Sequence, residues 1–279
     1  ASDVYKRQEK WKPYLDYVLK EQEWLKEHQE QELKEIRSKD GLTLRAAYLP
    51  RENAKGTIIC MHGYHSTNDI EFVPEVRFLW NLGYSILLPW QRSHGKSEGR
   101  YITYGVKERH DLKRWILYTN RHLAAKNKDI FLCGISMGCA TTLMAAGLDL
   151  PDNVKGIIAD CGFTSPWDII KHVAKERFYL PPFPLMYMVD LISEVVAGFG
   201  LKEVSIPEIM KRNKIPVLFI HGDADDYVPM WMTIKNYEAC AAKKELYIVS
   251  GAGHALAFSK DMEEGKRRIK NFINKYKTI

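Results

Sequence analysis

The sequence has no apolar run that approaches the roughly 18 consecutive residues needed to cross a bilayer, so we predict no transmembrane segment. It also lacks the charged, apolar and small-residue succession of a signal peptide. The sequence begins at Ala1 without a methionine, so these patterns are also compatible with a leader or anchor that was removed from upstream. Internal repeats and low-complexity tracts are absent too, which favours one folded domain.

Cysteine is scarce, and its spacing forms no known motif. No C-x-x-C pair and no Cys/His ligand spacing occurs, so we predict no metal site. We predict buried free thiols in a reducing compartment, which indicates the cytoplasm. The five cysteines lie mostly in apolar runs: Cys60, Cys133, Cys139, Cys161 and Cys240.

Charge of one sign is not concentrated enough to predict a nucleic-acid partner. The net charge is +6, but the basic residues are dispersed among carboxylates. The one basic run, at 266–270, lies on a predicted helix and lacks interleaved aromatic residues, so it indicates a solvated helix face.

Strands and helices alternate along most of the chain. This order predicts an α/β fold with a mostly parallel central sheet, helices on both faces and an antiparallel hairpin at the start. Strands are predicted at 35–38, 42–49, 57–61, 84–89, 129–133, 154–160, 217–220 and 245–249. Helices are predicted at 4–33, 71–82, 105–125, 139–147, 231–242 and 261–276.

Two segments depart from this alternation. Residues 1–34 are predicted as an N-terminal helical extension whose apolar stripe packs across the body, with a membrane-surface or partner helix as the alternative. Residues 163–212 are rich in aromatics, Met and Pro and are predicted as a small helical cap insertion. The catalytic domain is then 35–279. The stripe consists of Trp11, Leu15, Val18 and Leu25.

The segment 129–147 contains a G-x-S-x-G sequence between a predicted strand and a predicted helix. This context is that of a nucleophile elbow, in which Ser136 occupies a strained turn. Gly134 and Gly138 lack the Cβ atoms that would clash where strand and helix pass closely. A helix N-cap serine after a glycine turn is the alternative.

A serine hydroxyl needs a general base, and the base needs an orienting acid. In a parallel sheet both should follow later strands at their carboxyl ends. His254, flanked by small residues after the last predicted strand, is the candidate base. Asp225 is the preferred acid, with Asp223 and Asp226 as rivals in the same loop. We interpret His221 as structural.

Two backbone N–H groups should bind the oxyanion of the intermediate. Met137, directly after the nucleophile, supplies one at the start of a helix. The second is predicted from Tyr64, after the turn that Gly63 permits. The side chains of Tyr64 and His65 would then line the acyl side of the pocket.

These motifs together resemble the α/β-hydrolase superfamily, and within it the Bem46/YqkD-like and S33-peptidase-like serine hydrolases. The resemblance covers about residue 35 to the end and implies that Asp225, rather than its neighbours, is the acid. The segments that carry it are Gly134-Ile135-Ser136-Met137-Gly138, His62-Gly63, His94-Gly95, His221-Gly222-x-x-Asp225-x-x-Val228-Pro229 and Gly253-His254.

We therefore predict a carboxylesterase-type serine hydrolase that acts on a small-molecule ester without a metal or organic cofactor. A short-chain or aromatic acyl group is predicted from Phe183, Met186 and Tyr187 in the cap, which with His65 form the expected pocket. Simple packing of the cap onto the body is the alternative for these side chains. A peptidase or thioesterase remains open, with Glu176 and Glu194 as candidate anchors for a peptide amino terminus. A non-catalytic binding protein is a further alternative, and the natural substrate and oligomeric state are not predicted.

Overall fold

The computed structural model describes residues 14–30, 32–123 and 128–278. Among the described residues, the observed bounds lie within about three residues of those that the sequence predicts, except at the carboxyl end of the first helix. The predicted start of that helix lies outside the described residues. In chain order the elements are α1 (Leu15–His28), β1 (Lys34–Arg37), β2 (Thr43–Leu49), β3 (Gly56–Met61), α2 (Asn68–Glu71), α3 (Val73–Asn81), β4 (Ser85–Pro89), α4 (Glu108–His122), β5 (Asp129–Ile135), α5 (Met137–Ala145), β6 (Val154–Asp160), α6 (Pro166–Phe178), α7 (Leu185–Ile192), a π-helical turn (Ser193–Ala197), α8 (Ile206–Met210), β7 (Val217–Gly222), α9 (Met230–Ala239), β8 (Lys244–Val249), α10 (Ala257–Lys260) and α11 (Met262–Tyr276).

The strands form one eight-stranded sheet in the order β1-β2-β4-β3-β5-β6-β7-β8. β2 pairs antiparallel with both β1 and β4, whereas the other neighbouring strands pair in parallel. This arrangement confirms the predicted hairpin and the mostly parallel sheet. It also brings the carboxyl ends of β5, β6, β7 and β8 to one edge, where the candidate site lies.

Side chains on the two faces of the sheet enter two separate cores because successive strand residues point to opposite faces. In β3, Ile59 belongs to one core and Ile58 to the other. The first core contains Leu112 of α4 and Leu143 of α5. The second contains Phe272 of α11, together with residues of α1 and α3. Helices therefore cover both faces.

The first helix is shorter than the sequence predicts at its carboxyl end. α1 ends at His28, and the Glu30 N–H donates to the Tyr48 carbonyl (2.9 Å), so the chain joins the sheet edge instead of continuing as helix to Leu33. Leu25 is buried in the second core and Val18 packs against it. These contacts support packing across the body. Trp11 lies outside the described residues.

Two other helices begin differently from the prediction. The predicted helix 71–82 is interrupted at Phe72, and α3 begins with Pro74 in its first turn, where a missing N–H costs no hydrogen bond. α4 begins at Glu108 rather than at Gly105. The Glu108 carboxylate accepts hydrogen bonds from the N–H groups of Thr103 and Gly105 (both 2.9 Å) and so organises the loop before the helix.

The segment predicted as a cap forms short helices between β6 and β7. α6 begins after Ser165, whose side chain accepts the Asp168 N–H and so caps the helix. The bounds 163–212 for this unit, like the extension 1–34, stay predictions. Among the helices that the structure describes, none combines the length and the apolar character needed to cross a membrane.

Candidate active site

The nucleophile elbow is formed where β5 passes directly into α5. Ser136 joins the two elements with φ 54° and ψ −117°, a conformation that side chains disfavour. Its N–H donates to the Asp160 carbonyl of β6 (2.9 Å), which holds the turn. A Cβ at Gly138 would overlap the Met61 carbonyl, and one at Gly134 would overlap the Gly138 carbonyl. Both glycines are therefore required by close packing.

Three side chains from three different turns form a hydrogen-bonded chain. The Nε2 atom of His254 lies 2.9 Å from the Ser136 hydroxyl oxygen, and its Nδ1 atom lies 2.7 Å from Oδ2 of Asp225. A carboxylate can only accept, so Nδ1 carries the imidazole proton. Nε2 is then free to accept the proton of the serine hydroxyl. The arrangement can activate Ser136 for nucleophilic attack.

Asp225 is held by more groups than His254 alone. Its Oδ1 accepts the N–H groups of Tyr227 and Val228 (both 2.9 Å), and its Oδ2 lies 3.3 Å from Nε2 of His221. Burial raises the pKa of Asp225, but its electrostatic interaction with His254 and hydrogen bonds from His221 and His254 outweigh this effect. The net pKa is well below the usual range, so this buried carboxylate stays ionised.

The rival carboxylates of this loop have other positions. Asp223 is exposed, and its Oδ1 accepts the Gly251 N–H (2.6 Å), which ties two turns together. Asp226 is exposed as well. Of the three, Asp225 is the one that hydrogen-bonds His254. This contact agrees with the preference for Asp225 that the motif resemblance implied.

The two predicted oxyanion donors flank the nucleophile. Met137 is the first residue of α5, and N–H groups in a first helical turn have no partner within the helix. The Tyr64 loop lies against Ser136 from the other side. A Cβ built on Gly63 would lie 3.3 Å from the Ser136 Cβ. Gly63 thus packs against Ser136, and the role of the Met137 and Tyr64 N–H groups as oxyanion donors stays a prediction.

The Tyr64 loop is held by polar side chains that sequence reasoning missed. The Glu71 carboxylate accepts the Gly63 N–H, and Nε2 of His94 accepts the His65 N–H (3.2 Å). His62 accepts the Gln91 N–H (3.0 Å) at its own Nε2. Of these side chains, His94 stands in the His94-Gly95 segment of the resemblance, which could have indicated it. Glu71 and Gln91 stand in no recognisable spacing, so only the fold identifies them.

His94 must be neutral to accept a hydrogen bond at Nε2. Its Nδ1 lies 2.8 Å from the Arg92 carbonyl, which can only accept, so the proton lies on Nδ1. Burial lowers the pKa of His94, and this shift favours the neutral ring. The Tyr64 loop is thus fixed by an uncharged histidine.

Aromatic rings lie in the Tyr64 loop and beside His254. The Tyr64 ring stacks on His65 at 4.2 Å and on Tyr104 at 5.3 Å between ring centres. The ring of Tyr227 lies 5.1 Å from that of His254. Burial, the charge of Tyr64 and a hydrogen bond to it raise the pKa of Tyr104 well above its usual range, so its hydroxyl stays protonated. Tyr104 and Tyr227 were not anticipated from the sequence.

The three cap residues predicted to line the pocket occupy different environments. Phe183 is 75% exposed and contacts the half-exposed Tyr187, whose ring also contacts Trp167. Met186 is 1% exposed and packs into the first core. Phe183 and Tyr187 thus contact aromatic side chains of the 163–212 segment, and Met186 packs into the first core. His65, by contrast, stacks on the Tyr64 ring.

Comparison with known proteins identifies the family. The profile of the prolyl oligopeptidase family matches residues 97–278, a range that contains Ser136, Asp225 and His254. The chain belongs to the prolyl oligopeptidase family. The match starts after β4, so strands β1 to β4 and the Tyr64 loop lie outside it.

Relatives and solved structures extend this likeness over most of the chain. The Bacillus subtilis (strain 168) protein YqkD is 28% identical over 239 residues, covering 86% of this chain and 78% of that protein. Protein bem46 of Schizosaccharomyces pombe is 25% identical over 217 residues, covering 76% and 67%. The esterase Pf2001 of Pyrococcus furiosus superimposes with a TM-score of 0.73 at 26% identity, covering 90% of this chain and 95% of that one. The predicted α/β-hydrolase fold and superfamily are confirmed.

Proposed function

We propose that this serine hydrolase of the prolyl oligopeptidase family cleaves carboxylic esters through an acyl-enzyme intermediate. The observation that carries the proposal is the continuous hydrogen-bonded chain from Ser136 through His254 to Asp225. The likeness to the esterase Pf2001 supports the choice of an ester substrate. The unit that performs the reaction is proposed as 35–279, with 163–212 as its cap and 1–34 as an extension.

In the acylation half-reaction the Ser136 Oγ attacks the ester carbonyl carbon while its proton moves to Nε2 of His254. Asp225 stabilises the imidazolium that forms. The N–H groups of Tyr64 and Met137 are proposed to bind the oxyanion. Collapse of the tetrahedral intermediate breaks the ester C–O bond, and the alcohol leaves with the proton from Nε2.

In the deacylation half-reaction His254 acts again as general base. It takes a proton from water, which attacks the acyl carbon of the Ser136 ester. Collapse of the second tetrahedral intermediate releases the carboxylic acid and returns the proton to Ser136. The scheme uses side chains and backbone N–H groups of the chain alone.

A flat or short acyl group fits the aromatic surroundings best. His65 with Tyr64 and Tyr104 offers stacked rings on one side of the elbow, and Tyr227 lies beside His254. Planar groups stack favourably on such rings. We place Phe183 and Tyr187 at the outer rim of the pocket, with Met186 as support from the core. Five buried free thiols support a reducing compartment such as the cytoplasm.

The test is hydrolysis of p-nitrophenyl esters from acetate to decanoate, with wild type beside Ser136→Ala. Turnover that depends on Ser136 and peaks at short chains is expected. Labelling with a fluorophosphonate probe runs in parallel. Labelling without turnover of any ester would exclude the ester proposal while retaining an active nucleophile, and failure of both would exclude catalysis by Ser136.

A peptidase is the second candidate, favoured by the family match itself. A peptide amino terminus would need a dedicated carboxylate near the site. Glu176 forms an ion pair with Lys175 (3.0 Å) on exposed α6, and Glu194 lies in the π-helical turn. Cleavage of aminoacyl p-nitroanilides faster than any ester, together with its loss in Glu176→Gln or Glu194→Gln, would establish this alternative. Thioester substrates, for which the same chemistry serves, belong in the same substrate panel.

A further inference from the structure

A buried thiol lies beside the proposed base and acid. Cys161 follows β6 directly, is 1% exposed and has φ 45°, a conformation that costs a residue with a side chain free energy. Its Sγ, a carboxylate oxygen of Asp225 and a ring nitrogen of His254 all lie within 4.8 Å of one another. Among the described residues, this is the group of three such side chains that could bind a metal ion.

Two carboxylates lie close to the thiol. Asp160 directly precedes Cys161 in the chain, and a carboxylate oxygen of Asp225 lies within 4.8 Å of its Sγ. Asp160 itself is 7% exposed, and within the described part of the chain its Oδ1 has no hydrogen-bond partner. A buried oxygen without a partner costs free energy, which a nearby cation or a proton would recover.

We propose that Cys161, Asp225 and His254 form an inhibitory binding site for Zn²⁺. The inference rests on the proposed function, because what the metal inhibits is catalysis by Ser136 and His254. Thiolate and imidazole ligands select zinc over the hard cations magnesium and calcium.

The required rearrangement is small. Zinc bonds of about 2.0–2.3 Å place tetrahedral ligand atoms roughly 3.3–3.7 Å apart. The contact between Nδ1 of His254 and Oδ2 of Asp225, now 2.7 Å, must therefore open, while the thiol moves closer. Since the His254 side chain is the most exposed of the three, at 16%, the metal enters from the substrate side.

Inhibition follows from the protons that the metal displaces. Zinc takes Nδ1 of His254, so the single proton of the neutral imidazole moves to Nε2. A protonated Nε2 cannot accept the Ser136 hydroxyl proton, and the nucleophile is no longer activated. The Cys161 S–H bond breaks as the Zn–S bond forms, and that proton is released to water. One proton is released for each zinc bound.

The first experiment detects binding without catalysis. Co²⁺ replaces Zn²⁺ in titrations of Ser136→Ala protein, and a thiolate-to-cobalt charge-transfer absorption reports coordination by sulfur. We expect this absorption in Ser136→Ala and in the control Ser136→Ala/Cys139→Ala, but not in Ser136→Ala/Cys161→Ala. Cys139 is a matched control because it is also a buried free thiol. Absence of the absorption from the Ser136→Ala protein would overturn the proposal, whether or not the cysteine variants fold.

The second experiment measures inhibition of ester hydrolysis by Zn²⁺ and its reversal by EDTA. Cys161→Ala should raise the half-inhibitory Zn²⁺ concentration by about 10-fold or more relative to wild type, whereas Cys139→Ala should not. Cys161→Ser, which is nearly isosteric, serves if the alanine variant is unstable. Equal inhibition of wild type and both Cys161 variants would contradict the site. If wild type hydrolyses no ester, the proposed function fails and the cobalt absorption still decides the metal site.

Discussion

The elbow region and the cap are both rich in apolar residues, yet they bury them very differently. Every residue of β5 and α5 is buried. In the cap, by contrast, residues 178–196 hold ten of the fourteen large apolar side chains that are exposed among the described residues. Close packing on all sides therefore fixes the position of Ser136, whereas the segment predicted as a cap has apolar surface that its own packing does not cover. Under the proposed function, the position of the attacking group is set by the packing of the sheet and α5, and the exposed apolar surface of the cap is where contacts with substrate can differ.

The largest effect should come from removing Ser136, the proposed nucleophile. Ser136→Ala should lower kcat by about 10⁶-fold with little change in stability, because Ala fits the same turn. The matched control is Ser165→Ala in the cap, where loss of the N-cap should cost about 1 kcal/mol of stability and leave kcat near wild type. Ester hydrolysis and urea unfolding of both variants provide the measurements. Substantial turnover by Ser136→Ala would show that another group attacks.

The next largest effect concerns the acid. Asp225→Asn should lower kcat by about 10⁴-fold because an amide favours the wrong imidazole tautomer. Its neighbour variant Asp226→Asn changes the same charge on an exposed side chain and should remain near wild type. The two are compared by kcat as a function of pH. A more damaging Asp226→Asn would mean that Asp226, not Asp225, orients His254.

The same leucine-to-alanine substitution should lower the free energy of unfolding much more in the elbow region than in the cap. Leu132→Ala, at a fully buried position of β5, should lower the free energy of unfolding by about 2–5 kcal/mol. Leu191→Ala, at a position of α7 that is 60% exposed, should change it by less than about 0.5 kcal/mol. Urea unfolding measures both. A large loss in Leu191→Ala would show that the cap surface is covered in solution, for instance by a second copy of the chain.

The last expected effect, which concerns stability and not catalysis, is a pH dependence at the end of β6. Burial raises the pKa of Asp160 to about 7, with His221 opposing and Asp225 adding to the shift. Because the folded state holds this proton and the unfolded state does not, Asp160 lowers stability as pH rises from about 4 to about 7. Asp160→Asn should therefore gain stability relative to wild type between about pH 5 and pH 8.

Unfolding free energies over this pH range test the expectation. The control is Asp152→Asn, at an exposed turn position, for which the difference from wild type should not change with pH. A difference between Asp160→Asn and wild type that is constant with pH would show that Asp160 stays ionised in the folded protein.

Much of this protein was determined by the sequence alone, because the relevant signals are local. Strand and helix periodicity predicted the sheet, and the G-x-S-x-G sequence between a strand and a helix predicted the position of Ser136. Ser136, the loop 223–226 and His254 were predicted to form one site because each follows the carboxyl end of a strand in the parallel part of the sheet. Helix ends were predicted less well, since the contact of Glu30 with Tyr48 and the interruption at Phe72 depend on neighbouring elements.

Only the tertiary structure decided which side chains meet. The motif resemblance had favoured Asp225 among three carboxylates in one loop, and the structure shows its side chain directed at His254. It also placed Cys161 beside that pair and brought Glu71 and His94 to the Tyr64 loop. Except for Glu71, which lies eight residues from Gly63, these residues lie far from their partners in the chain. Such contacts arise from the register of the sheet and the packing of helices on it, which no short segment encodes.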